Sequence, residues 1–177
     1  FVATYDMFLV GRHVGGDWDN HAQFTKRPYA AFNVRGGTAI LNGLTLGYNN
    51  YKYNNCALYE VNLFDGRIQV GGGRMAIPHD STNLKIGDDL NEGVVNVYGG
   101  ELVKTSGEIA LGGWYGDNAG KTYPAIGKLN VYGGAVRTAA TGEIDVPYNK
   151  GGVGYVSLYG GLVETKNWAL ESPCLEL

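Results

Sequence analysis

Val95-Asn96-Val97-Tyr98-Gly99-Gly100 returns 34 residues later as Leu129-Asn130-Val131-Tyr132-Gly133-Gly134. Three further segments align with them without gaps: Phe32-Asn33-Val34-Arg35-Gly36-Gly37, Val61-Asn62-Leu63-Phe64-Asp65-Gly66 and Val156-Ser157-Leu158-Tyr159-Gly160-Gly161. The spacings from first to last are 29, 34, 34 and 27 residues. A motif that holds while its spacing varies marks a constant structural unit joined by connections of changing length.

Within each motif, apolar residues alternate with polar or aromatic ones. That period of two is the signature of a strand with one buried face. The pair Gly-Gly marks a tight bend, because glycine reaches positive φ without a steric penalty. A second short strand follows each bend, as in Glu101-Leu102-Val103-Lys104 and Ala135-Val136-Arg137-Thr138. A third is read at Leu44–Gly47, Leu84–Gly87, Ile109–Gly112, Ile144–Pro147 and Trp168–Leu170. Phe8-Leu9-Val10-Gly11 fits the same slot ahead of the first full repeat. Helical periodicity is absent, so essentially no α-helix is expected. A meander of hairpins would place Asn-Gly turns between strands about every 8 to 12 residues, and only Asn42-Gly43 has that form.

Three strands and two bends per repeat suit a single-stranded parallel β-helix, or β-solenoid, of about five to six turns spanning residues 1–177 as one all-β domain. One turn cannot bury its own apolar face, whereas stacked turns share a continuous core. From Phe8 to about Leu170 the pattern resembles the right-handed parallel β-helix domains of bacterial secreted and surface proteins, including autotransporter-type passengers. The resemblance implies a right-handed coil and a secreted or cell-surface location. It does not imply one activity, since this scaffold carries adhesins, polysaccharide lyases, hydrolases and plain stalks.

Composition narrows the classes. Glycine is abundant at 29 residues, and 13 tyrosines lift the aromatic share to 12%, too aromatic for a disordered chain. The net charge is −3 with no basic patch, which argues against nucleic acid as a partner. No apolar run reaches the roughly 20 residues of a membrane helix, so membrane insertion is not expected. The chain opens at Phe1 in mid-sequence style, as expected of a segment of a longer exported protein. Cys56 and Cys174 would lie at least three turns apart, about 14 Å at about 4.8 Å per turn. A disulfide spans at most about 7 Å between Cα atoms, so the two are expected to remain unlinked.

If the alternating apolar residues face inward, the others form outer columns. One is Asn33, Asn62, Asn96, Asn130 and Ser157; its neighbour is Arg35, Phe64, Tyr98, Tyr132 and Tyr159. Flat rings beside amides suit the apolar faces and hydroxyl edges of a polysaccharide. Like side chains stacked across strands also stabilise a sheet with no ligand at all. Trp114, in the loop after a third strand, adds a further aromatic. The candidate carbohydrate-binding residues are therefore Phe64, Asn96, Tyr98, Trp114, Asn130, Tyr132 and Tyr159.

Other clusters carry less. His13, Asp17, Asp19 and His21 match no ligand spacing for a metal, and Asp88-Asp89 with Asn91-Glu92 lacks the full acidic loop of a calcium site. Gly116-Asp117-Asn118-Ala119-Gly120-Lys121-Thr122 is one residue short of a phosphate loop. Glu108 and Glu143 occupy the same slot in neighbouring repeats and should lie close together. No catalytic residue, metal or cofactor is assigned. The leading expectation is an extracellular, non-catalytic module that binds a polysaccharide or cell-surface glycan. The alternatives are a structural stalk or the protomer of a fibre stacked end to end, and a β-helix lyase or hydrolase.

Overall fold

The structure is a computed structural model that describes residues 2–3, 8–12, 29–48, 58–72, 75–77, 92–112, 126–147 and 152–170. Its strands are β1 (Val2–Ala3), β2 (Phe8–Arg12), β3 (Tyr29–Leu41), β4 (Leu44–Tyr48), β5 (Leu58–Val70), β6 (Met75–Ile77), β7 (Glu92–Val97) and β8 (Glu101–Lys104). They continue as β9 (Ile109–Leu111), β10 (Ile126–Val131), β11 (Ala135–Thr138), β12 (Glu143–Val146), β13 (Val153–Leu158), β14 (Leu162–Glu164) and β15 (Asn167–Leu170). The described residues contain no helix, and none of them forms a helix able to cross a membrane.

The fold is all-β, and its strands pair in parallel. In the later repeats each strand pairs with the strand three places on: β7 with β10 and β10 with β13, β8 with β11 and β11 with β14, β9 with β12 and β12 with β15. Two sheets result, one of nine strands holding the motifs and one of six holding the third strands. The motif alignment is the register. Asn33 partners Asn62, which partners Asn96, then Asn130 and Ser157; Val34, Leu63, Val97, Val131 and Leu158 run in the same order.

Alternation sends one side of every motif strand inward. Val61, Leu63, Val95, Val97, Leu129 and Val131 are fully buried and join Leu44, Leu46, Ile109, Leu111, Ile144 and Val146 of the six-stranded sheet in one core. Each such side chain contributes about 1.5–3 kcal/mol by leaving water. The second glycine of the motif makes the bend possible. Gly100 and Gly134 both sit near φ +71°, and their backbones pack on Gly66 and Gly100 of the repeat before, so a Cβ on Gly134 would lie 2.7 Å from the Gly99 carbonyl carbon.

Two details differ from the sequence reading. The third-strand slot of the second repeat is held by β6 at Met75–Ile77, which pairs with β4 and β9; Leu84–Gly87, read for that slot, lies outside the described residues. Met75 and Ile77 supply the same inward alternation sooner after the motif, and both are fully buried. The first two motifs also do not end their strands. β3 and β5 run 13 residues each through the bend, with register shifts between Val34 and Thr38. In the second motif Asp65 replaces the first glycine, and its carboxylate accepts the Gly66 N–H at 2.7 Å. Cys56 and Cys174 lie outside the described residues.

Candidate functional site

The aromatic column is set by backbone geometry. Tyr98 and Tyr132 each follow a buried valine and Tyr159 follows Leu158 in the same register, and their N–H groups donate to the carbonyls of Leu63, Val97 and Val131, each at 2.8 Å. Their side chains therefore leave the sheet at the same height, one strand spacing apart. The rings stack: Phe64 on Tyr98 at 5.1 Å between centroids, Tyr98 on Tyr132 at 4.9 Å and Tyr132 on Tyr159 at 4.8 Å, with planes within 8°. The Arg35 guanidinium lies 4.3 Å over the Phe64 ring, a cation–π contact that closes one end of the column.

This arrangement decides what the column offers. Inside the stack both faces of each ring are occupied by neighbours, so Tyr98 and Tyr132, 44% and 43% exposed, show solvent their edges and phenolic oxygens. Tyr159, at 68%, is covered by a ring of the column on one side only. The stripe is a ridge of edges, not the plane of ring faces expected from the sequence. Burial, and then Tyr98 and Tyr159 on either side, raise the pKa of Tyr132 above the ordinary phenol value.

Beside the ridge runs an amide ladder. Asn62 donates through Nδ2 to Asn33 Oδ1 at 3.0 Å, Asn96 to Asn62 at 2.9 Å and Asn130 to Asn96 at 2.9 Å. Asn62 and Asn96 are buried at 7% exposure, lower than the rings that flank them. Asn96 and Asn130, expected to meet a glycan, thus each direct an amide donor along the column to a like residue. Further out, Lys128 pairs with Glu92 at 2.6 Å. On the strands after the bend, Arg137 bridges Glu101 and Glu164, the latter at 3.0 Å.

A second cluster lies at the six-stranded sheet. Glu108, Glu143 and Asp145 each bring a carboxylate oxygen within 4.8 Å of the others, which confirms the proximity of Glu108 and Glu143 expected from their shared slot. Three hard oxygen donors are of the type that holds calcium or magnesium, but calcium takes six to eight. Lys104 lies within electrostatic reach of Glu108. It is 1% exposed, and its ammonium donates to the carbonyls of Gly71, at 2.5 Å, and Ser106. Burial lowers its pKa, while Glu108 acts in the opposite direction. Sequence reasoning did not single out Lys104 or Asp145. The signal for Lys104 was present: alternation that sends Leu102 inward sends Lys104 inward too.

Trp114, His13, Asp17, Asp19, His21, Asp88, Asp89, Asn91 and the loop 116–122 lie outside the described residues. Comparison with protein-family models, with curated proteins and with solved structures finds no match for this chain.

Proposed function

We propose that this chain is a stiff, non-catalytic segment of an extracellular β-solenoid, wound right-handed with one motif per turn, whose outer ladders hold the rod together. The observation that carries the reading is the closed aromatic column, whose ring faces meet one another from Phe64 to Tyr159. The amide ladder has the same character, since its donors and acceptors pair along the rod. The solenoid winding draws support from the parallel in-register pairing of consecutive motifs, and the extracellular location from the resemblance to exported β-helix proteins.

A second reading, binding of a polysaccharide or cell-surface glycan, rests on the exposed edges of Tyr98, Tyr132 and Tyr159 and the more open face of Tyr159. One variant separates the two. Tyr132→Ala removes two stacked contacts, each worth about 0.5–1.5 kcal/mol. The structural role expects a lower urea midpoint and unchanged retention on insoluble polysaccharides. Retention that falls while stability holds would overturn it in favour of glycan binding.

A further inference from the structure

We propose that Tyr98, Tyr132 and Tyr159 form an oxidative cross-linking site, at which a one-electron oxidant joins consecutive repeats through dityrosine bonds. The site rests on geometry alone and holds whether or not the column binds a ligand.

Three features meet here. The phenols are neighbours, with centroids 4.9 and 4.8 Å apart and planes 8° and 7° from parallel. They are accessible, since all three rings are more than two-fifths exposed. They are also held in place by the parallel pairing of their strands. Coupling of two phenoxyl radicals is normally limited by their encounter, and two groups fixed side by side react as one molecule. Near-parallel stacking at these separations holds adjacent phenols side by side, so coupling requires a tilt of two half-exposed rings that brings one ortho carbon of each together. Three other tyrosines are placed differently. Tyr59 is buried, the Tyr29 hydroxyl donates to Glu60 at 2.7 Å, and Tyr155 lies 6.0 Å from the Lys128 ammonium.

The chemistry balances with a peroxidase and hydrogen peroxide as the oxidant. Each of two phenols loses one electron to the enzyme and its hydroxyl proton to water. The two radicals couple through their ortho carbons, forming one C–C bond. Each ortho hydrogen then moves by way of water to its own oxygen and restores the phenol. Two electrons and two protons leave in all, and they reduce one hydrogen peroxide to two waters. The product is lighter by two hydrogens per link and ties residues 34 or 27 positions apart in sequence.

The test is treatment of the 177-residue chain with peroxidase and hydrogen peroxide, followed by proteolysis and mass spectrometry. Peptides linked through Tyr98–Tyr132 or Tyr132–Tyr159 within one chain are expected, at a yield unchanged by tenfold dilution of the protein. Tyr132→Phe keeps the stacked ring and removes its phenol, so both links should vanish while the folded circular dichroism persists. Dityrosine that avoids these pairs, a yield that falls with dilution, or no dityrosine at all would overturn the proposal.

Discussion

The two sheets solve the same stacking problem differently. In the nine-stranded sheet, two outward positions of the motif repeat in kind: amide over amide along β5, β7 and β10, with ring over ring beside it at the bend. In the six-stranded sheet the matching Cα partners are Thr45, Ala76, Ala110, Asp145 and Ala169, three of them alanines with no ring or amide to stack. Thr45 is fully buried, and its hydroxyl finds no partner among the described residues. Register in the first sheet is therefore specified on both sides, by apolar pairs inside and by like-on-like ladders outside. In the second sheet the inward apolar residues carry it.

That contrast is open to attack at the bends. Gly134 and Gly107 share a φ near +72°, but only Gly134 has backbone packed where a Cβ would go; the nearest atom to one on Gly107 is the Lys104 ammonium at 3.7 Å. Gly134→Ala should destabilise by about 2–5 kcal/mol, the sum of left-handed strain and overpacking. Gly107→Ala, at the bend leading into the six-stranded sheet, should cost about 1–2 kcal/mol of strain alone. Urea midpoints that move equally would mean the motif glycines are not backbone-packed.

The polar positions give the next contrast. Asn96→Ala breaks two amide hydrogen bonds in a buried ladder and strands its neighbours' groups, a cost of about 2–3 kcal/mol. Thr45→Val removes an unpartnered buried hydroxyl and should stabilise by about 1 kcal/mol. Opposite signs in chemical denaturation support two modes of stacking; the same sign would erase the distinction.

Lys104 is where the nine-stranded sheet breaks its own rule, since its inner column partners are Val70 and Thr138. Because burial lowers its pKa, the folded chain releases this proton at a lower pH than the unfolded chain. The penalty is complete where both states are charged. It fades as pH rises through the lowered value toward the ordinary 10.5. The urea midpoint of the wild type relative to Lys104→Met should therefore climb from neutral pH toward 10.5. A flat difference would mean that the ammonium is not desolvated.

The same contrast explains how much of the fold is legible in the sequence. The gapless alignment of Asn33, Asn62, Asn96, Asn130 and Ser157 is the observed register, because ladders on both faces leave little freedom to slip. The six-stranded sheet has no such repeat, and there Leu84–Gly87 is an equally apolar candidate for the place that Met75–Ile77 holds. Alternation also tells which side of a sheet a residue occupies, but not the plane of its ring. Tyr98 and Tyr132 are legible as outward-facing and stacked, while the closure of their faces on one another is not. The burial of Asn62 and Asn96 escapes for a related reason: taller rings flank them, and relative height is a property of neighbours.

Energetic coupling within the aromatic column decides whether it works as a structural support. A double-mutant cycle with Tyr98→Ala, Tyr132→Ala and the pair, read as urea unfolding free energies, measures it directly. Rings that stack as structural supports at 4.9 Å should couple by about 0.5–1.5 kcal/mol. Free energies that add to within about 0.3 kcal/mol would contradict the claim that the column holds consecutive repeats together.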